Sequence, residues 1–373
     1  MRVPWANTIV AVTSLTVSLA GAELIVRTFA PVSDTSGRYL MFSSKHFRMD
    51  DAGAVRYIPN EDVRSISVYY GSIEYDVRYH TNNLGFIDDR DYTGLAAGEA
   101  PSEEYALVGD SFTAGIHGGK PWVPALRADL TATLGPTEVY NLGVEGTGMQ
   151  HFADLLVSFA RDQPFTHVVI VAISNDFQRP RWRPEMAPDG LHFCPPDEMP
   201  QCLNGAPTAT IIGYHDSDAE ILEHTRRVER QAAARTPDSS FVDKARKLAQ
   251  HSQLLRRVSR LVKARSGTRR KLIEDSMGAL ASVREHFPAV PITFIQLPEK
   301  EEVQMNRYLF DPEGRLRNMG VKYYPALRLC PWSPAMFLPR DNHPNATGYE
   351  KVEQCVLKLL LAERSSRHGG RIR

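Results

Sequence analysis

The chain has 373 residues, of which 42% are hydrophobic and 24% are charged, and these are ordinary values for a globular protein. Its 44 basic and 44 acidic residues balance to a formal net charge of zero. A general electrostatic attraction to nucleic acid is therefore not expected, and any charged partner would have to bind a local patch.

The first thirty residues differ from the rest in composition. The stretch from Val3 to Ala22 carries no charge and is about the ~20 residues that a helix needs to cross a bilayer. Residues 1–30 are therefore predicted to be a membrane anchor or a signal segment. Leu19-Ala20-Gly21-Ala22 also resembles a cleavage site, so a cleaved, secreted form and a buried core helix stay as alternatives to the preferred uncleaved anchor. Anchor and signal both predict an extracytoplasmic protein, in the periplasm or at the cell surface.

Four cysteines agree with export, because an even number in an exported chain favours disulfides. Cys194 and Cys202 flank a short loop, whereas Cys330 and Cys355 flank the segment around His343. Four cysteines allow three pairings, and four free thiols remain an alternative. A zinc site is less favoured because the chain has no Cys-x-x-Cys pair.

Residues 31–100 are predicted to be an accessory β-rich segment. Arg64–Tyr70 and Ile73–Tyr79 are rich in β-branched and aromatic residues, and Gly71-Ser72 lies between them. This pattern predicts a β-hairpin.

Strands and helices alternate in the remainder of the chain, which predicts a parallel sheet covered by helices. The run from His167 to Ile173 is continuously apolar, as expected for a strand buried on both faces. The spacing of Phe152, Leu155, Leu156 and Phe159 predicts one face of a helix. The other predicted strands are Ala106–Val108, Glu138–Leu142, Ile292–Leu297 and Val321–Tyr324, and the other predicted helices begin near Trp122 and Asn345.

An insertion of about residues 178–270 separates the third and fourth predicted core strands. Its second half is helical in pattern, and residues 244–271 contain eleven Lys or Arg and no Asp or Glu, beside an apolar stripe. A solvated amphipathic face explains this pattern, and contact with anionic lipid headgroups or an acidic glycan is the alternative. Residues 366–373 are predicted to be a disordered basic tail.

Two short motifs carry the candidate chemistry. Ser111 follows a predicted strand in Gly109-Asp110-Ser111 and opens a helix, which places a small hydroxyl at the carboxyl end of that strand. Asp341 and His343 lie two residues apart just before the last helix. A serine, a histidine and an aspartate are the parts of an activated nucleophile, its base and the residue that orients the base.

With these motifs the chain resembles the SGNH, or GDSL-type, hydrolases, and in particular their exported, membrane-linked branch. Four blocks match in order: Gly109-Asp110-Ser111, Asn141 to Gly146, Ser174-Asn175-Asp176 and Asp341-Asn342-His343. The resemblance implies a flavodoxin-like three-layer α/β/α sandwich with a parallel sheet over residues 101–365. Ile173 stands where the family usually has glycine, and the family often spaces its Asp and His by three residues.

The resemblance also implies the roles of the site residues. Ser111, His343 and Asp341 would be catalytic, and the backbone N–H groups of Ser111 and Gly146 with the Asn175 side chain would form the oxyanion hole. Asp110 and Asp176 are expected to support the loops. His117 is expected to be a loop residue rather than a second base.

The expected function is a serine esterase that acts through an acyl-enzyme on a small O-acyl group, with O-acetyl on an envelope or extracellular carbohydrate as the expected substrate. An acyltransferase to glycan would use the same residues. A lipase or phospholipase at the membrane surface and a non-catalytic glycan-binding module are the remaining alternatives. No metal, cofactor or nucleic acid is expected.

Overall fold

The structure is a computed structural model that describes residues 5–29, 37–92, 103–119, 121–235, 252–264 and 267–369. The strands are, in chain order, β1 (Arg38–Phe42), β2 (Phe47–Met49), β3 (Val55–Tyr57), β4 (Asp62–Tyr69), β5 (Ser72–His80), β6 (Glu103–Gly109), β7 (Thr137–Gly143), β8 (His167–Ala172), β9 (Arg183–Ala187), β10 (Gly190–Cys194), β11 (Thr210–Ile211), β12 (Ile292–Gln296) and β13 (Lys322–Pro325).

The helices of the described residues are numbered in the same way. They are α1 (Trp5–Phe29), α2 (Ser111–Ala114), α3 (Val123–Leu134), α4 (Met149–Phe159), α5 (Met199–Leu203), α6 (Asp218–Arg235), α7 (Gln253–Ala264), α8 (Gly267–His286), α9 (Lys300–Met305), α10 (Glu313–Asn318), α11 (Ala326–Leu329) and α12 (Ala346–Gly369).

The centre of the fold is a five-stranded parallel sheet in the order β13-β12-β8-β6-β7. Counted along the chain, these strands have the order 2-1-3-4-5, which is the flavodoxin-like arrangement. β8 lies in the middle of the sheet, and all six of its residues are buried. This burial explains why its sequence is continuously apolar rather than alternating.

Helices cover both faces of this sheet and make the three-layer α/β/α sandwich that the family resemblance implies. Along β6, Ala106 and Val108 face one apolar core, whereas Tyr105 and Leu107 face the other, as the alternation of a strand requires. Helices α4 and α8 pack on the first face, and α3 and α12 pack on the second.

The accessory segment forms a second sheet in the order β11-β1-β4-β5. β4 and β5 make the predicted antiparallel hairpin. The sequence did not indicate the fourth strand, because β11 belongs to the insertion and pairs in parallel with β1. The insertion thus contributes one short edge strand to the accessory sheet.

The insertion also contains the antiparallel hairpin of β9 and β10, which the Cys194–Cys202 disulfide ties to α5. A second disulfide joins Cys330 to Cys355 on α12. Of the basic stretch 244–271, residues 244–251 and 265–266 lie outside the described residues, and the rest forms α7 and the start of α8.

The carboxyl-terminal end differs from the prediction. Helix α12 continues to Gly369, so residues 366–369 are helical rather than part of a disordered tail. After Gly348 this helix meets no glycine or proline until Gly369, so nothing in the sequence stops it earlier. Residues 370–373 of the predicted tail lie outside the described residues.

Candidate active site

Ser111 is the first residue of α2, directly after the turn that ends β6. The side chain of Asp110 caps this short helix by accepting a hydrogen bond from the backbone N–H of Phe112 at 2.9 Å. Gly109 allows the turn to lie against the neighbouring strand, because a Cβ at this position would approach the carbonyl oxygen of Val171 to 2.2 Å. The turn therefore places the Ser111 hydroxyl at the carboxyl edge of the sheet.

The structure brings Ser111, His343 and Asp341 together although 232 residues separate the serine from the histidine. Nε2 of His343 lies 2.7 Å from Oγ of Ser111. On the other side of the ring, Nδ1 of His343 is hydrogen-bonded to Oδ1 of Asp341, which also accepts the backbone N–H of His343 at 3.1 Å. A spacing of two residues is thus sufficient for the carboxylate to hold the imidazole.

Two residues of the accessory sheet contact Oδ2 of Asp341, the carboxylate oxygen that does not bind the His343 ring. The hydroxyl of Tyr69, on β4, donates to Oδ2 of Asp341 at 3.0 Å, and the guanidinium of Arg38, on β1, lies 3.5 Å from the same oxygen. Burial would raise the pKa of Asp341, but His343 and Arg38 hold it well below its usual range. The carboxylate is therefore ionised where it contacts the imidazole.

His117 is not a simple loop residue. It lies in a turn of 3-10 helix, is buried, and stacks on the His343 ring with 3.7 Å between ring centroids and 17° between planes. Nε2 of His117 is 3.6 Å from Oε1 of the buried Glu145. Burial and the neighbouring His343 lower the pKa of His117. Burial would raise the pKa of Glu145, but His117 and Arg38 have the larger effect and lower it to about 2. A second buried imidazole thus lies between the His343 ring and a buried carboxylate.

Arg179 joins the loops that follow β6 and β8. Its guanidinium lies 2.9 Å from Oδ2 of Asp110 and 2.9 Å from Oδ1 of Asp176, and it donates to the carbonyl of Thr147 at 2.6 Å. Oδ2 of Asp176 accepts the N–H of Ile173 at 3.0 Å, so this carboxyl group holds its own loop. Burial and the nearby Asp110 raise the pKa of Asp176 well above its usual range.

The three residues expected to stabilise an oxyanion follow three adjacent strands. Ser111 follows β6, Gly146 follows β7, and Asn175 follows β8. Gly146 has a φ of +77°, and the Asn175 side chain is exposed beside buried neighbours. The side chain of Ile173, which stands in place of the usual glycine, is buried in the core that α3 and α12 cover.

Two aromatic side chains of the insertion lie over Gly146. Trp182 and Phe193 stack with 3.8 Å between ring centroids, and the indole N–H of Trp182 donates to the carbonyl of Gly146 at 2.8 Å. A Cβ at position 146 would approach the Phe193 ring to 3.0 Å. The insertion therefore forms one wall of the site.

Several residues of the site were not found from the sequence. Glu145 lies inside a matching block and Arg179 follows another, so proximity to these blocks was the available signal. No local pattern singles out Arg38 or Tyr69, because their strands reach Asp341 only in the folded protein.

Comparison with known proteins points to the same class of enzyme. Residues 105–197 match the model of the GDSL-like Lipase/Acylhydrolase family. No curated protein matches the sequence of this chain.

Similar solved structures include a lipase/acylhydrolase from Enterococcus faecalis, with 12% identity over 70% of this chain and 96% of that chain and a TM-score of 0.35. They also include a catalytic mutant of the acetylxylan esterase Axe2 from Geobacillus stearothermophilus, with 14% identity over 70% and 94% and a TM-score of 0.34. The esterase EstA from Pseudoalteromonas sp. has 9% identity over 71% and 100% and a TM-score of 0.37. The family match confirms the resemblance found in the sequence: residues 105–197 of this chain are similar to a GDSL-like lipase/acylhydrolase domain, a family of enzymes that hydrolyse ester bonds.

Proposed function

We propose that this protein is an exported, membrane-anchored serine esterase that removes a small O-acyl group, an O-acetyl ester, from an envelope or extracellular carbohydrate. The observation that carries the ester chemistry is the 2.7 Å contact between Ser111 Oγ and His343 Nε2, with Asp341 bonded to the other ring nitrogen. This is the arrangement in which a serine hydroxyl loses its proton as it attacks.

In the proposed reaction, Ser111 Oγ attacks the ester carbonyl carbon while Nε2 of His343 takes the hydroxyl proton. Asp341 holds the ring with Nδ1 protonated and stabilises the imidazolium that forms. Collapse of the tetrahedral intermediate breaks the bond to the alcohol oxygen, which leaves with the proton from Nε2. Water, activated by the same histidine, then adds to the acyl-enzyme and releases the acid and Ser111.

The oxyanion of each tetrahedral intermediate would be bound by the N–H groups of Ser111 and Gly146 and by the Asn175 side chain. The cap that Asp110 makes uses the N–H of Phe112, so it does not occupy the N–H of Ser111. Loss of one such donor typically costs about 3–4 kcal/mol of transition-state stabilisation. Trp182 supports this part of the site because it holds the carbonyl of Gly146.

The enclosure of the nucleophile favours a small acyl group. Ser111 is 2% exposed and the His343 side chain 12% exposed, and the Trp182–Phe193 pair lies over Gly146. A short acetyl chain needs less space at such a centre than a fatty acyl chain.

The proposed location is supported by α1 and the disulfides. The segment Ile9–Thr28 of α1 is long and apolar enough to cross a membrane, and none of it is buried inside the protein. Disulfides persist mainly outside the reducing cytosol. Carbohydrate is proposed as the substrate because O-acetylated polymers are esters that an exported enzyme can meet.

The deciding experiment compares hydrolysis of p-nitrophenyl acetate by the full chain in detergent with that of Ser111→Ala. Ser282→Ala, at an exposed serine of α8, is the matched control. We expect turnover in the native and control proteins and none in Ser111→Ala. Equal turnover in all three would refute Ser111 as the nucleophile.

The same preparation separates the alternatives. Faster turnover of octanoyl than of acetyl esters would favour a lipase. Acyl transfer to added oligosaccharides in place of hydrolysis would favour a transferase. Glycan binding without turnover, unchanged by Ser111→Ala, would favour a binding module.

A further inference from the structure

Helix α7 is attached to α1 through one carboxylate. Glu23 of α1 accepts the backbone N–H groups of Gln253 and Leu254 and the hydroxyl of Ser252, each at 2.9 Å. These groups form the amino-terminal end of α7, where backbone N–H groups lack partners within the helix and favour a negative charge. The start of α7 is therefore held against the side of α1.

The position of Glu23 along α1 indicates how deep in a membrane the contact between α1 and α7 would lie. The apolar segment ends at Thr28, five residues after Glu23. At 1.5 Å per residue, this places the contact about 8 Å inside the end of that segment. Interfacial amphipathic helices bury their apolar faces to a similar depth, roughly 5–10 Å into the boundary between headgroups and acyl chains.

Helix α7 turns apolar residues outward. Leu255 is 49% exposed and Val258 is 47% exposed, and the spacing of three residues places them on one face. The opposite side is attached to the protein, since Arg257 forms an ion pair with Glu301 at 2.7 Å. In water, an amphipathic helix normally has the reverse orientation, with its apolar stripe against the core.

The charge of α7 indicates which surface would cover this face. Its twelve residues include Arg256, Arg257, Arg260 and Lys263 and no acidic residue. A helix whose charged residues are all basic and which exposes leucine and valine is typical of binding to bilayers that contain anionic lipids. A soluble protein partner would not explain why the helix begins beside a membrane-spanning segment.

We propose that α7 lies in the interface of an anionic bilayer, with Leu255 and Val258 inserted among the acyl chains next to α1. This inference rests on the proposed membrane anchor and is independent of the ester chemistry. The catalytic domain would then have two membrane contacts, α1 and α7, which restrict its rotation about the anchor.

Site-specific labelling tests this placement. The four native cysteines are all paired in disulfides, so a cysteine introduced by Leu255→Cys or Val258→Cys can be labelled with an environment-sensitive fluorophore. The full-length protein is reconstituted in vesicles of phosphatidylglycerol and phosphatidylcholine that contain lipids spin-labelled along the acyl chain. Met186→Cys is the matched control, because Met186 is an apolar residue of the insertion that is 40% exposed.

In the vesicles with phosphatidylglycerol, we expect blue-shifted emission and strong quenching of labels at 255 and 258, and little quenching of the label at 186. In vesicles of phosphatidylcholine alone, we expect the quenching at 255 and 258 to be weaker. Equal quenching at 255 and 186, in protein that resists extraction at alkaline pH, would overturn the inference and leave the anchor intact. Equal quenching in both lipid mixtures would overturn the role of anionic lipid. Release of the protein at alkaline pH would refute the anchor and the inference with it, while esterase activity would be judged separately.

Discussion

The imidazole of His117 stacks on that of His343 with 3.7 Å between the ring centroids, on a face of the ring that contacts neither Ser111 nor Asp341. His117 is itself held between the Tyr75 ring, at 4.7 Å between centroids, and Glu145. His343 is therefore confined by packing as well as by hydrogen bonds.

Removing the His117 ring should allow the His343 imidazole to move away from its position beside Ser111. His117→Ala opens space beside His343, and a displacement of about 1 Å can reduce the rate 10²-fold, so we expect kcat to fall about 10- to 100-fold. The paired substitution His117→Phe with Glu145→Gln keeps a flat ring and removes the buried charge, and it should retain more activity than His117→Ala. Steady-state kinetics on an acetyl ester would measure both, and equal loss in the two proteins would exclude a packing role.

The hydroxyl of Tyr69 should act on the rate through Asp341. Tyr69→Phe removes the 3.0 Å hydrogen bond to Oδ2 of Asp341, and a hydrogen bond to a charged group is worth about 1.5–3 kcal/mol. We therefore expect kcat to fall by about tenfold or more, with KM little changed. Tyr70→Phe is the control, because this adjacent tyrosine is 49% exposed. A similar kcat in both variants would show that Tyr69 does not position Asp341.

Arg179 should be more important for stability than its partial exposure suggests. Arg179→Ala would leave Asp110 and Asp176, whose side chains are fully buried, without their common cation. Removing one partner of a buried ion pair such as Arg179–Asp110 typically costs about 3–5 kcal/mol. Chemical denaturation should show a loss of this size, whereas Arg183→Ala, at an exposed position of β9, should change the unfolding free energy by less than about 0.5 kcal/mol. Comparable losses in the two variants would contradict the assigned role.

His46 should make the fold sensitive to acid. Burial lowers the pKa of His46 from 6.5 to about 3, so the unfolded chain binds a proton at pH values where the folded protein does not. Stability contributed by the neutral ring is therefore lost as pH falls from about 6.5 towards 3, and this amounts to about 2 kcal/mol between pH 7 and pH 5. His46→Asn, which tolerates the φ of +65° at this position, should lose less stability over that interval. Denaturation at both pH values measures the difference, and identical losses would contradict the prediction.

Much of the catalytic domain was predictable because its signals are local. The apolar run of β8, the helical spacing in α4 and the turn at Gly109-Asp110-Ser111 each follow from backbone geometry over a few residues. The structure moves the ends of the predicted elements by a few residues and keeps their order. Ser111, Asp341 and His343 could be selected because their motifs flank strands and helices in an order that resembles a known family.

What lies around these residues was not predictable in the same way. Arg38 and Tyr69 meet Asp341 across about 300 residues of sequence, and β11 pairs with β1 across about 170 residues. Such contacts depend on how the accessory sheet packs against the catalytic domain, and no periodicity within one segment encodes that packing.

The sequence by itself determined the chain order of the five core strands, the apolar amino-terminal segment and the candidate catalytic motifs, since each depends on neighbouring residues. Only the tertiary structure decided that His117 packs on His343, that Trp182 and Phe193 cover Gly146, and that Glu23 holds the start of α7. The physical reason is that hydrophobic burial favours many arrangements of the same segments, and the packing of all of them together selects the one in which these side chains meet.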